Sequence, residues 1–378
     1  MEHQSLKYMG SKRAMLGNGL GEILERMVGR HKRFIDLFAG SASVAWHVAE
    51  RYRIETWAFD LQRYSAVLAG SVIQRDSAAD PIELWNDWLR RATSRFDTFG
   101  VLVPSDIDAS FVKEARSWSS QFDKSTLVNA YAGHYYSPVQ AAWIQALRDT
   151  IPTSSPNREI CLAALVVAAS KCAASPGHTA QPFQPTDTAL KYLQISWHRD
   201  LCADVQAALD QITPIHAQVV GEAHVGDANQ IASQLMHGDL VFIDPPYSAV
   251  QYSRFYHVLE AIAAGVTSPV FGVGRYPPLN ERPSSQYSQK TTSLPAIKEL
   301  LVSLAQREVS AIITFPDHEC SNGIDASMIK CAASKLFRVK TQSVTSVFST
   351  LGGPASKRHG PRLARLSADE MILCLEPK

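Results

Sequence analysis

The stretch Asp239–Tyr247, which reads Asp-Leu-Val-Phe-Ile-Asp-Pro-Pro-Tyr, constrains the fold more than any other part of the chain. Leu240–Ile243 is an unbroken apolar run, the pattern of a strand in a parallel sheet whose two faces are both covered. Pro245 and Pro246 have no backbone N–H to donate, so the strand ends at Asp244. Ligands of open α/β sheets gather at the carboxyl ends of strands, so this strand delivers Asp244 to a binding site. Each proline also holds the residue before it extended. The Pro245 carbonyl thereby gains a fixed direction beside the Asp244 carboxylate, with the Tyr247 ring just after it. Two fixed acceptors next to a flat aromatic surface suit a planar group bearing an NH2. Taken alone, the stretch also fits a strand closed by a proline turn, with Tyr247 merely packing.

At 378 residues the chain is long enough for a large core and about two domains. A hydrophobic content of 46% with 19% charged residues is that of a soluble globular protein. No apolar run reaches the roughly 18 residues of a membrane span, and the first residues lack the layout of a signal peptide. A cytoplasmic location is expected. The six cysteines are scattered without a CxxC pair, which reads as small core residues rather than a disulfide or zinc framework. With a net charge of +1, any nucleic-acid face must come from local clusters.

At the start, Lys7-Tyr8-Met9-Gly10-Ser11-Lys12 is a glycine–serine turn flanked by lysines, ahead of a helix expected over 16–28. Such a turn offers backbone amides to a polar ligand; a helix start with solvated lysines fits equally. Phe34-Ile-Asp36-Leu-Phe38-Ala-Gly40 then runs from an apolar strand into a tight turn and a helix, as a Rossmann-like sheet begins. About 20 residues beyond Gly40, a second strand ends at Asp60, where a carboxylate grips ribose hydroxyls in nucleoside-binding sheets.

From about 71 to 214 the pattern turns helical, with helices expected over 81–96, 139–151 and 159–174. Between them lie aromatic connectors containing Tyr131, Tyr135, Tyr136 and His178. Read as exposed, these residues suit stacking and base-edge contacts with nucleic acid; a structural helical cap is the alternative. The sheet is expected to resume at Ala217–Val220, followed by Asp227, near where an adenine amino group would be held. After the central stretch come Arg254 and a loop over 275–289 carrying Arg275, Arg282, Tyr276 and Tyr287, a composition suited to a mobile loop over a polyanion. Further strands are expected at 309–315 and 370–375.

Together, Lys7–Lys12, Asp36–Gly40, Asp60, Asp227 and Asp244–Tyr247, in this order, resemble the Dam-like group of DNA adenine-N6 methyltransferases. The likeness covers roughly 5–70 and 215–375 and is faint between them. It implies an α/β fold, a Rossmann-like seven-stranded methyltransferase sheet with one antiparallel strand near the edge. The implied domains are 1–72 and 215–378 for the catalytic part and 73–214 for an inserted, mainly helical target-recognition domain. It implies S-adenosylmethionine as cofactor, leaving as S-adenosylhomocysteine, and double-stranded DNA as partner. Tyr8 and Lys12 match positions that contact the cofactor, with Asp36, Phe38 and Gly40 at its methionine end. Asp60 matches the acid on the ribose, Asp227 a contact to the cofactor's adenine, and Asp244, Pro245, Pro246 and Tyr247 the catalytic motif. DNA contacts are expected from Tyr135, His178, Arg254, Arg275, Arg282 and Tyr287. The family's cofactor turn usually reads Phe-x-Gly-x-Gly, and here Ala42 replaces the second glycine. Its methyl either crowds the methionine moiety or is absorbed by a backbone shift, and cofactor binding is expected to survive.

The implied reaction needs no metal and no covalent nucleophile. Asp244 and the Pro245 carbonyl would accept the two N–H bonds of a flipped adenine's amino group and turn its lone pair toward the methyl. Cytosine N4, RNA adenine and a catalytically silent DNA-binding regulator are the competing readings. A cognate restriction nuclease or defence-system protein is a further expected partner, beside a solitary enzyme.

Overall fold

The computed structural model describes residues 12–349 and 365–378. A single sheet holds β1 (Arg33–Asp36), β2 (Glu55–Asp60), β3 (Glu222–Val225), β4 (Asp239–Ile243), β5 (Ser310–Pro316), β6 (Phe337–Ser349) and β7 (Arg365–Pro377). Their order is β3-β2-β1-β4-β5-β7-β6. β1 pairs in parallel with β2 and β4, and β4 with β5. β7 runs antiparallel to both β5 and β6. The expected mixed α/β fold, with a Rossmann-like seven-stranded sheet and one antiparallel strand near its edge, is the fold observed.

β4 lies at the centre of the sheet and is buried along its whole length. Its pleat sends Leu240 and Phe242 to one face, where they join Phe34, Ile312 and Ile372 beneath Ile23, Leu24 and Val28 of the helix Gly21–Val28. Val241 and Ile243 point to the other, with Ile35, Leu37 and Ile313 under Ile297, Leu300 and Leu304 of the helix Ser293–Gln306. Each such side chain contributes about 1.5–3 kcal/mol when fully buried. At the amino ends of β1 and β4, the register partners Arg33 and Asp239 close a bidentate ion pair at 2.9 and 2.7 Å. Asp239 is 2% exposed, and Arg33 stacks 4.5 Å from the Trp57 ring.

By compactness the described residues fall into two units. The sheet-bearing unit takes 12–61, Val225–Gln251 and Ser285–Lys378; the helical unit takes Gln62–His224 and Tyr252–Ser284. The helical unit is therefore wider than the segment 73–214 expected from sequence. Helix Tyr252–Ala264 belongs to it because Thr179 donates to the Phe255 carbonyl at 2.6 Å and Arg148 to the Ile262 carbonyl at 2.9 Å. The helix Arg63–Ile73 joins it through Tyr64, whose amide donates to Glu260 at 3.2 Å and whose ring lies 5.6 Å from Tyr256. At its centre the helix Asn157–Cys172 is buried almost all round, which accounts for its nearly continuous apolar sequence.

Other expectations shift. The segment 217–220 is not a strand: Ala217 donates to the Arg75 carbonyl and Gly221 to that of Ile73, which ties it to the end of the helix Arg63–Ile73. The strand is β3, an exposed edge whose polar sequence gives little apolar signal. The helix expected over 16–28 is broken at Asn18 and Gly19 before the helix Gly21–Val28. Gly19 has φ +89, and a Cβ there would meet Gln342 at 2.7 Å and Val344 at 2.9 Å of β6. β6 itself, polar and edge-lying, was not expected. Among the described residues no helix is long and apolar enough to cross a membrane.

Removing the buried partner of Arg33 leaves a largely buried cation uncompensated. Asp239→Ala is expected to lower unfolding stability by about 3–5 kcal/mol in a urea titration.

Candidate active site

The sheet's alternation assembles this site. Phe34, Phe242, Ile312 and Ile372 share one face, so the residues two places away on each strand, Asp36, Asp244, Thr314 and Glu370, lie on the same side, beyond that apolar layer. Register supports this placement, since Asp36 pairs with Phe242 and Thr314 with Ile372. Polar groups from four strands thereby continue an apolar face.

Into this group reaches Lys12, 4% exposed. Its ammonium lies 3.0 Å from Asp244 Oδ1 and donates a hydrogen bond to Glu370, which is 1% exposed. The Thr314 hydroxyl donates to the same Asp244 oxygen at 3.0 Å. Burial pushes the Asp244 carboxyl up to about 6; Lys12 and the Thr314 bond hold it down while Glu370 pushes it further up. Burial alone would lower the Lys12 ammonium, but Asp244 and Glu370 more than offset this and raise it. Asp36 is the most perturbed acid here. Burial pushes it up to about 8, opposed by the Phe38 amide that donates to it at 3.2 Å, with Asp244 and Asp60 adding to the rise.

The turn after β1 is held by Asp60, whose Oδ2 accepts from the Gly40 amide at 2.9 Å. Gly40 has φ +51, a backbone region that suits glycine. Ala42 is also left-handed, φ 62 and ψ 9, fully buried, and begins the helix Ser43–Arg51. The methyl has therefore not moved the backbone out of the region a glycine would take. Phe38 meets the edge of Tyr287 with ring centroids 4.9 Å apart. Asp227 caps the helix Ala228–Ala232, accepting from the amides of Asn229 and Gln230 at 3.0 and 3.2 Å.

The proline turn is braced from behind. Asn322, fully buried, donates to the carbonyls of Pro246 at 2.9 Å and Tyr287 at 3.0 Å. Tyr247 is half-buried against the core, with Lys12 5.7 Å from its ring centroid. Lys12, Asp36, Gly40, Asp60 and Asp244 are thus drawn together in the sheet-bearing unit. Tyr8 lies outside the described residues. Thr314, Asn322 and Glu370 join the site without a signal in the sequence; the register of β5 and β7 brings in the first and the last.

Of the residues expected to contact nucleic acid, the tyrosines are buried and Arg275 is held by backbone carbonyls. Tyr135 is fully buried and its hydroxyl donates to backbone carbonyls of Thr179 and Gly274. Tyr131 and Tyr136 are buried as well. Tyr287 is 3% exposed, with its hydroxyl on Asn229. The guanidinium of Arg275 is committed to the carbonyls of Ala130 and Asn129 at 2.8 and 3.0 Å. His178 packs 4.9 Å from the Phe255 ring, and burial lowers its pKa. Arg254 and Arg282 stack on Tyr276, at 5.5 and 5.3 Å from its centroid.

A family model for D12 class N6 adenine-specific DNA methyltransferases matches residues 8–99 and 204–314, more than half of the chain. The chain belongs to this family. The type II methyltransferase M.NlaIII of Neisseria lactamica is 33% identical over 81 residues, which are 21% of this chain and 23% of that protein. The modification methylase StsI of Streptococcus sanguinis is 22% identical over 303 residues, 78% of this chain and 42% of that protein. The chain thus matches less than half the length of either relative. Among solved structures, the rRNA methyltransferase aviRa from Streptomyces viridochromogenes aligns over 99% of this chain and 88% of its own, with 12% identity and a TM-score of 0.33. The D12 match takes in Lys12, Asp36, Gly40, Asp60, Asp227, Thr314 and the Asp244–Tyr247 motif, and leaves out Asn322 and Glu370.

A left-handed alanine costs about 1–2 kcal/mol in backbone strain, partly offset by its lower freedom when unfolded. Ala42→Gly is accordingly expected to raise unfolding stability by about 1 kcal/mol, read as a higher urea midpoint; a lower midpoint contradicts the strain.

Proposed function

We propose that this D12-family protein transfers a methyl group from S-adenosylmethionine to N6 of an adenine flipped out of double-stranded DNA, in the cytoplasm. The observation that carries this reading is Asp244 at the end of the central strand, its carboxylate anchored by Lys12 and Thr314 and followed by two prolines and Tyr247.

The donor set fits a cationic cofactor. Asp36 feels the charge of both Asp60 and Asp244, and a buried acid raised to about 8 favours a neighbouring positive charge. Asp36, Phe38 and the Gly40 turn would hold the methionine end, Asp60 the ribose and Asp227 the adenine, with Tyr8 and Lys12 completing the set. When bound, S-adenosylmethionine supplies a methyl already activated on a sulfonium, so the protein contributes alignment and electrostatics.

Asp244 accepts one N–H of the adenine amino group and the Pro245 carbonyl accepts the other, which draws the nitrogen lone pair out of the ring. The nitrogen would form its bond to the methyl carbon as the sulfonium–methyl bond breaks and its electron pair returns to sulfur, leaving the neutral thioether, and Asp244 would take the proton the amino group then sheds. Flipping the base costs a few kcal/mol. Stacking on Tyr247 returns about 1–3 kcal/mol of that. Pro246 keeps Tyr247 in place through its carbonyl's bond from Asn322.

For the DNA backbone, Arg254 and Arg282 are the contacts we retain, with His178 as a neutral neighbour. Among the described residues neither arginine has a carboxylate partner, and Tyr276 holds both guanidiniums. The names of the two relatives, a type II methyltransferase and a modification methylase, favour a modification role beside a cognate restriction nuclease.

Two outcomes test this reading. Asp244→Ala is expected to lower methyl transfer to DNA by at least about 10³-fold while DNA affinity stays within a few-fold; near-normal turnover would contradict the assignment. Replacing Arg254 or Arg282 by alanine should reduce the slope of log Kd for DNA against log salt by about 1, equally for all sequences. An unchanged slope removes them from the interface.

A further inference from the structure

Lys12 has a second buried partner, Glu370, to which the reaction outlined above gives no part. Glu370 stands on β7, outside the stretch that matches the family, and is 1% exposed. An ammonium and a carboxylate this deeply buried are stable only while each has a partner. Lys12 has two, Glu370 and Asp244. Asp244, however, must keep an oxygen for an arriving amino group; Lys12 and Thr314 both lie on Oδ1, and a lysine paired with Asp244 alone would be drawn across both oxygens.

We propose that Glu370 is a positioning residue for methyl transfer, acting through Lys12: it supplies the ammonium with a second buried partner, so that Lys12 keeps to Asp244 Oδ1 and leaves Oδ2 to the substrate's amino group. The inference rests on the adenine-methyltransferase reading and assigns Glu370 a role within that site. Thr314 complements it, because its hydroxyl shares Asp244 Oδ1 with Lys12 and fixes the orientation of the carboxylate.

The groups around Asp244 give the arrangement a distinctive pH signature. Lys12 faces it from the N-terminal segment, Asp36 from β1, Thr314 from β5 and Glu370 from β7. Tyr247 lies against Lys12, and Cys320 faces both Lys12 and Glu370 from the loop after β5. The negative charge of Glu370 raises the Asp244 pKa and the ammonium of Lys12 lowers it. Neutralising Glu370 therefore makes Asp244 easier to ionise, and also leaves Lys12 bound to Asp244 alone.

The test is steady-state methylation of duplex DNA across pH by wild type, Glu370→Gln, Glu370→Asp and Lys12→Gln, with melting curves for each. We expect Glu370→Gln to lower kcat about tenfold with KM for S-adenosylmethionine within about twofold. Its acid limb in kcat/KM should move to lower pH, whereas that of Lys12→Gln should move to higher pH. Glu370→Asp keeps the charge at shorter reach and should fall between wild type and Glu370→Gln, with the limb unmoved. If Glu370→Gln melts below the assay temperature, the aspartate variant carries the test alone, and wild-type kcat in it overturns the proposal. So does Glu370→Gln with normal kcat, or with a reduced kcat and an unmoved acid limb, which marks a purely structural role. Wild type that methylates adenine while these variants behave normally defeats only the Glu370 role; wild type without any transfer to DNA defeats the underlying reading as well.

Discussion

The arrangement of this protein turns on one buried cation. The Lys12 ammonium sits between Asp244 and Glu370, almost without access to water. In that setting an unpaired charge costs several kcal/mol, so the N-terminal segment, β4 and β7 must each arrive at one point. Sheet geometry makes this possible. Side chains alternate strictly, and the face that begins with Phe34, Phe242, Ile312 and Ile372 ends in Asp36, Asp244, Thr314 and Glu370. The same rule that builds the hydrophobic layer aligns the polar groups beyond it.

Much of this was legible in the residues themselves. Leu240–Ile243 announced a central strand, and the two prolines announced where it stops. Asp60, spaced from Gly40, proved to hold the turn after β1 through the Gly40 amide. Thr314 and Glu370 were not visible because each becomes relevant only through sheet register, which joins strands far apart in the chain. Asn322 lies in a loop, where no periodicity marks it. β3 was misplaced because an exposed edge strand carries a polar sequence, while the apolar 217–220 segment is tied to a helix end. Tyr135 and Tyr287 misled for the opposite reason. A tyrosine beside polar residues looks like a surface contact, but both hydroxyls find internal acceptors and the rings are buried.

Ala42 stands where the resembled group usually has a glycine. The turn beside Asp36 keeps the left-handed backbone that a glycine would take, with the strain held in place by a buried helix start. The helical unit departs from expectation in another way, by drawing in 252–284 from beyond the proline motif. Arg254, Arg282 and Tyr276 come from that late segment, so the residues we assign to the DNA backbone lie in the helical unit although they follow the motif in sequence.

Methylation of adenine at N6 by the Asp244 site is the activity we propose. The most direct measurement is to incubate the protein with duplex DNA and S-adenosylmethionine carrying a labelled methyl, digest the DNA to nucleosides and identify the labelled product by mass spectrometry. N6-methyldeoxyadenosine is the expected labelled nucleoside. Label in N4-methyldeoxycytidine, or none in DNA, would contradict it.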